Sequence, residues 1–237
     1  MKCKMKISGI IKTTLIDFPG YIATTLFTQG CNFKCPYCHN PELIKLESGD
    51  GKYLDEDFLW EFLQDRREFL DGVVITGGEP TIQTDLKGFL VKVKKLDYRV
   101  KLDTNGSRPQ ILKDLIERDL LDYVAVDVKG SSLNYKKFSD DTNFINKLQE
   151  SLVILDKTAI TVELRTTVVP GLHDEQEMKR IGELLKDYEF DSYTIQNFRP
   201  DETYNRDFEK ITPFTEKELQ EFREIMKKYI NKVEIKN

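Results

Sequence analysis

Between Ala23 and Tyr229, short runs rich in Val, Ile, Thr and Tyr alternate six times with segments whose apolar residues recur three and four apart. The first run is Ala23–Thr28; the others are Val73–Thr76, Val100–Asp103, Tyr123–Val128, Thr161–Val169 and Ser192–Gln196, each short and bounded. Leu86, Phe89, Leu90 and Val93 mark one of the intervening helices, and Leu219, Phe222, Ile225 and Tyr229 mark the last. Crossovers this long each carry a helix back over the sheet, so the strands they join are parallel. A closed barrel takes eight such units and usually about 250 residues. The chain has 237 residues and six units, which predicts an α/β fold, a partial (β/α)6 TIM-like barrel with parallel strands. An N-terminal β-ribbon precedes it, formed by Lys6–Lys12, a turn around Asp17–Gly20, and Ala23–Thr28. No stretch reads as a linker. The expectation is one domain over residues 1–237, with the ribbon in 1–22, the barrel in about 23–200 and a terminal helix in about 215–232 opened by the capping-box pattern Thr215-Glu216-Lys217-Glu218.

Unusual polar residues gather where each strand ends. After the first barrel strand comes a cysteine-rich loop; after the next, Thr76-Gly77-Gly78-Glu79-Pro80; then Asp103-Thr104-Asn105-Gly106, Asp127-Val128-Lys129-Gly130, Arg165 to Gly171, and Gln196 to Pro200. In a parallel barrel the carboxyl ends of the strands converge on one face, where such folds place their chemistry. Gly77 and Gly78 make either a tight turn or a stretch of bare backbone open to a ligand. Asp103 and Asp127 either cap the helices that follow or face one another across the rim. Lys129 beside Asp127 forms a solvated ion pair or meets a ligand carboxylate.

The cysteine-rich loop holds Cys31, Cys35 and Cys38 within eight residues. Thiolates prefer soft metals, and four normally complete an iron-sulfur cube, so three in close sequence leave one iron for another ligand. A structural zinc site would recruit His39 as the fourth ligand, but adjacent residues rarely both reach one tetrahedral ion. Cys3 is a stray thiol near the terminus, and no cysteines remain for a second cluster. Tyr37, between two of the cysteines, suits shielding a metal group. His173, in a loop ahead of a helix, reads as a surface residue.

Acidic and basic residues are interspersed around a net charge of -5, which gives no nucleic-acid footprint. Neither a secretory leader nor a membrane span is expected, and cysteines grouped for metal binding fit a reducing cytoplasm.

Cys31-Asn32-Phe33-Lys34-Cys35-Pro36-Tyr37-Cys38-His39-Asn40-Pro41, followed by Gly77-Gly78-Glu79-Pro80 at the next strand, resembles the radical S-adenosylmethionine superfamily and, within it, the glycyl-radical-enzyme activating enzymes. The segments Lys12 to Gly20 and Phe27 to Cys31 are most similar to the activating proteins of anaerobic ribonucleoside-triphosphate reductase. The resemblance implies one [4Fe-4S] cluster on Cys31, Cys35 and Cys38 whose fourth iron binds S-adenosylmethionine. It also implies cofactor contacts at Tyr37, Cys38 and His39, at Gly77, Gly78 and Glu79 for the methionyl amino group, at Asp103 near the ribose, and at Lys129 near the carboxylate. A monovalent cation beside that carboxylate is implied on Asp103, Thr104, Asp127 and a carbonyl near Ala125. Where the family has a histidine late in the barrel, this chain has Gln196 and Arg199.

The implied activity is that of an oxidoreductase. It cleaves S-adenosylmethionine reductively to a 5'-deoxyadenosyl radical and uses it to make a glycyl radical on a larger partner, of the anaerobic ribonucleotide reductase or pyruvate formate-lyase type. The implied electron donor is flavodoxin or ferredoxin. Two other readings are a radical enzyme acting on a small molecule, as in 7-carboxy-7-deazaguanine synthesis, and a non-catalytic zinc-binding adaptor.

Overall fold

The run Ala-Thr-Thr-Leu-Phe-Thr is buried along almost its whole length, as a parallel strand covered on both faces must be. The computed structural model describes residues 5–46 and 53–236, so the expectation for Cys3 falls outside the described residues. Strand β1 (Ile7–Thr14) pairs antiparallel with β2 (Ala23–Thr28) and forms the expected ribbon. Strands β2, β3 (Gly72–Gly77) and β4 (Arg99–Thr104) are parallel. After β5 (Tyr123–Asp127), strands β6 (Thr161–Val168), β7 (Ser192–Asn197) and β8 (Val233–Lys236) form a further parallel run. Strand order in the sheet is the order in sequence.

The helices are α1 (Glu56–Asp65), α2 (Leu86–Lys95), α3 (Pro109–Glu117), α4 (Phe144–Asp156), α5 (Glu175–Leu185) and α6 (Glu216–Met226). Each occupies a crossover that the periodicity assigns to a helix. The capping box is present, with the Thr215 side chain accepting from Glu218 N–H and the Glu218 carboxylate accepting from Thr215 N–H.

The terminal element differs from expectation. Helix α6 ends at Met226 rather than near residue 232, and the chain then returns as β8, with Val233 opposite Tyr193 and Ile235 opposite Ile195. Four residues, Val-Glu-Ile-Lys, carry too little apolar pattern to separate a strand from a charged tail. Here the backbone groups of β7 decide the matter by supplying a pairing edge.

Contacts divide the chain into two compact units. The first comprises residues 1–32, 42–104 and 110–124; the second comprises 33–41, 105–109 and 125–237. In the first, Val73, Val74 and Ile75 of β3 are fully buried, as are Leu63, Leu90 and Val93 of α1 and α2. In the second, Leu164 and Ile195 of the sheet and Leu148, Leu152 and Ile181 of α4 and α5 are fully buried. Each such side chain contributes about 1.5–3 kcal/mol relative to exposure.

Candidate active site

In the first unit, the chain leaves β2 through Gly30, whose φ of 93° is a left-handed value open to glycine. Gly30 N–H donates to Leu43 O at 2.8 Å and Cys31 N–H to Ile44 O at 3.1 Å, so the two ends of the cysteine loop are zipped together. Gln29 reinforces the closure. Its buried amide donates to Glu42 O at 2.8 Å and Lys45 O at 2.7 Å, and accepts from the Ser8 hydroxyl at 2.6 Å. One side chain thereby bonds two carbonyls on the far side of the loop.

The glycine pair after β3 serves this same region. Gly78 N–H donates to Thr28 O at 2.9 Å and Glu79 N–H to Gly30 O at 2.8 Å. A Cβ on Gly78 would stand 2.0 Å from the carbonyl oxygen of Gly30. The absent side chain therefore lets the ends of β2 and β3 touch through their backbones. Glu79 is 1% exposed, and its Oε1 accepts from Thr81 N–H at 3.1 Å, the Thr81 hydroxyl at 2.5 Å and the Thr104 hydroxyl at 2.7 Å. Three donors on one oxygen stabilise a carboxylate that burial alone would disfavour.

Asp103 does not cap a helix. Its Oδ1 accepts from Lys101 Nζ at 2.5 Å, and that ammonium also lies 5.4 Å from the centroid of the Tyr123 ring. Lys101 went unnoticed in the sequence, although its two-residue spacing from Asp103 places both on one face of β4.

The middle of the cysteine loop belongs to the second unit. Lys34 N–H donates to Phe138 O, Asn205 N–H to Pro36 O and Tyr204 N–H to Cys38 O, each at 2.9 Å. The loop is thus held by backbone at three points. Cys31, Cys35 and Cys38 carry no disulfide; Cys35 is buried, the other two are partly exposed, and His39 is exposed. Burial pushes the Cys35 thiol up to about 11, with the charge of Lys129 opposing and Cys38 and Asp127 reinforcing. Tyr37 packs edge-on to Phe138 and Phe198, with ring centroids 5.9 and 6.4 Å away. Its hydroxyl is buried without a hydrogen-bond partner.

Asp127, like Asp103, pairs with cations rather than capping a helix: its Oδ1 accepts from Arg165 Nε at 3.0 Å, and its Oδ2 lies 3.4 Å from Lys129 Nζ. The Lys129 backbone is gripped from both sides. Its N–H donates to Tyr135 Oη at 3.0 Å, and its carbonyl meets His173 Nε2 at 3.1 Å. His173 Nδ1 accepts Val169 N–H at 3.1 Å, so the proton sits on Nε2 and donates to Lys129 O. This corrects the surface reading of His173, which is 3% exposed and held near a pKa of about 4 by burial. Nothing in its sequence setting signals the Val169 N–H and the Lys129 carbonyl that it bridges. Glu177, also missed, fixes the adjacent turn by accepting Ser131 N–H at 2.6 Å, the Ser131 hydroxyl at 3.0 Å and Arg180 Nε at 2.9 Å.

Residues 25–185 match the shared pattern of the radical SAM superfamily. A Methanocaldococcus jannaschii protein named "Putative glycyl-radical enzyme activating enzyme MJ1227" is 39% identical over 98% of this chain and 96% of its own length. The pyruvate formate-lyase-activating enzyme of Clostridium pasteurianum is 30% identical over 76% of each chain. The chain belongs to the radical SAM superfamily and, within it, to the glycyl-radical enzyme activating enzymes.

Solved radical SAM proteins share the fold. Streptococcus suis SuiB bound to S-adenosylmethionine gives a TM-score of 0.65 at 15% identity, over 88% of this chain and 48% of SuiB. A radical SAM methyltransferase from Sphaerobacter thermophilus gives 0.69 at 13% identity, over 94% and 68%. This chain thus corresponds to about half of SuiB. The expected α/β class, a partial parallel barrel with an N-terminal ribbon, holds for this activating-enzyme chain.

The superfamily implies one [4Fe-4S] cluster and S-adenosylmethionine, and kinship with activating enzymes implies a glycyl-radical enzyme as partner. The residues present fit such cofactors. A thiol that burial keeps protonated at neutral pH is a poor exposed nucleophile but becomes a stable thiolate on a soft metal, whose charge replaces the proton. The unpartnered Tyr37 hydroxyl, next to Cys38 in sequence, is a donor awaiting an acceptor. Among the described residues no three His, Cys, Asp or Glu side chains converge tightly enough for a single metal ion. The small-molecule and zinc-adaptor readings are not favoured by this kinship. Among the described residues no helix is long and apolar enough to cross a membrane.

Proposed function

We propose that this activating-enzyme homologue binds one [4Fe-4S] cluster through Cys31, Cys35 and Cys38, cleaves S-adenosylmethionine, and abstracts hydrogen from a glycine of a partner enzyme. When bound, the cluster supplies the low-potential electron that breaks the carbon-sulfur bond and yields a 5'-deoxyadenosyl radical. The chain's own residues bind, orient and exclude water. Tyr37, Cys38 and His39 would line the cofactor, with the Tyr37 hydroxyl as donor. The backbone at Gly77, Gly78 and Glu79 would receive the methionyl amino group, Asp103 the ribose hydroxyls and Lys129 the carboxylate.

Fixed donors and acceptors cost no reorganisation during the reaction, and the clamped backbone at Gly30, Gly78 and Lys129 supplies that rigidity. The observation that carries the proposal is the anchoring of the cysteine loop. Its ends are zipped and its middle is held by three backbone bonds, with a buried thiol at its centre. Glycine suits the partner because its α-carbon radical delocalises onto the flanking amides and no side chain blocks the approach. The electron donor is a flavodoxin or ferredoxin, and the setting is the cytoplasm.

The test is anaerobic reconstitution with iron and sulfide, reduction, and addition of S-adenosylmethionine with a candidate glycyl-radical enzyme. A glycyl signal in electron paramagnetic resonance, lost with Cys35→Ser, supports the proposal. A fully loaded cluster that leaves S-adenosylmethionine uncleaved overturns it.

A further inference from the structure

A dissolved monovalent cation on Asp103, Thr104 and Asp127 would compete with partners already in place: protein cations on both carboxylates, and the Glu79 carboxylate toward which the Thr104 hydroxyl is turned. Asp103 Oδ1 holds the Lys101 ammonium at 2.5 Å, with the two side chains 2% and 14% exposed. The Thr104 hydroxyl donates to Glu79 Oε1 at 2.7 Å. In the second unit, Asp127 accepts Arg165 Nε on one oxygen and has Lys129 Nζ beside the other. Each of the three residues is engaged within its own unit, and both carboxylates carry protein cations.

We propose that Lys101 is the resident cation of Asp103, so that cofactor binding by this chain requires no dissolved sodium or potassium. The inference rests on the proposed S-adenosylmethionine site. A cation there serves to offset the negative charge of the aspartates where the ligand's carboxylate arrives. A covalently tethered ammonium does the same. It is fixed in place by two further features: its side chain, projecting from β4, is buried, and its charge lies over the Tyr123 ring, 5.4 Å from the centroid. A second cation coordinated to the same carboxylate would sit within about 4 Å of this ammonium, shielded from water, where like charges repel strongly. An ammonium presents directed N–H bonds and a metal ion does not, so Lys101 also sets the orientation of the Asp103 carboxylate.

The test measures S-adenosylmethionine affinity of the anaerobically reconstituted protein by titration calorimetry, with tetramethylammonium as the only added cation and then with sodium or potassium. Sodium nuclear magnetic resonance line widths with and without S-adenosylmethionine give a second readout independent of activity. The expected result for the wild type is a Kd constant to within about twofold across the three salts and no ligand-dependent sodium broadening. Lys101→Met should weaken binding about tenfold in tetramethylammonium and recover in potassium, while Lys101→Arg stays insensitive to salt. A merely structural lysine would give no such recovery. If Lys101→Met does not fold, the wild-type measurements alone decide. Affinity that rises tenfold or more with potassium, or sodium broadening on ligand addition, overturns the inference and leaves the functional proposal standing. No binding heat in any salt overturns both.

Discussion

The carbonyl oxygen of Gly30 lies only 2.0 Å from where a Cβ of Gly78 would stand. The ends of β2 and β3 therefore touch through backbone alone, and Glu79 N–H closes on the same carbonyl. Gly78→Ala should cost about 1–3 kcal/mol as an overpacked site and displace Cys31, so iron retained after reconstitution should fall well below one cluster per chain. Gly171→Ala is the control, since a Cβ there meets nothing within 4 Å. Its φ of 83° costs only about 1–2 kcal/mol, and iron content should be unchanged. Thermal melts with iron and sulfide analysis separate the two.

Gln29 ties together the two ends of the cysteine loop. Gln29→Ala leaves the carbonyls of Glu42 and Lys45 without their buried donor, a loss of about 1–3 kcal/mol. Amide hydrogen exchange at residues 42–46 should accelerate, and the reconstituted cluster should bleach faster in air. Unchanged exchange across that segment would remove the clasp from the account.

His173 makes the protein sensitive to mild acid. Its folded pKa is about 4 against 6.5 in the unfolded chain, because burial opposes the charged ring, with Lys137 adding to the effect and Glu177 offsetting part of it. Above pH 6.5 the ring is neutral in both states and costs nothing. Between 6.5 and 4 only the unfolded chain takes the proton, so stability falls as pH falls and levels off below the folded value. The full difference is about 3 kcal/mol. His173→Gln keeps a donor and an acceptor without that titration. Its melting temperature should therefore decline less than that of the wild type between pH 7 and pH 5, as scanning calorimetry would reveal.

Glu177 is buried and holds a depressed pKa; burial raises it, and the Ser131 N–H, Arg180, Asn134 and the Ser131 hydroxyl together outweigh that. Its contribution is present above the unfolded carboxylate value and is lost as pH falls through the folded one. Glu177→Gln swaps one acceptor for a donor facing Ser131 and Arg180. The expected cost is about 1–3 kcal/mol at neutral pH, with a weaker loss of stability in acid than the wild type. Denaturant melts at two pH values would show both effects, and equal acid sensitivity in the two proteins would contradict the assignment.

Replacing any one of Cys31, Cys35 and Cys38 with Ser should abolish bound cubane iron while leaving far-ultraviolet dichroism intact. The loop backbone is fixed by Leu43, Ile44, Phe138, Tyr204 and Asn205 independently of the thiols. A variant that keeps its full iron content would remove that cysteine from the ligand set.

The alternation of buried strand and amphipathic helix is a local, periodic signal, so β2 to β7 and α1 to α6 were legible from the chain, as were the cysteine spacing and the polar residues ending each strand. The terminal strand β8 was not, because Val-Glu-Ile-Lys becomes a strand only when β7 offers it hydrogen-bond partners. Nor were Gln29, His173 and Glu177, whose tasks are to bond backbone groups far away in sequence, such as Glu42, Lys129 and Ser131. The order and spacing of residues marked the candidate site, through three closely spaced thiols and a glycine pair. Only tertiary structure decided how that chemistry is held, since a polar side chain's role depends on which buried donor or acceptor the fold leaves for it to satisfy.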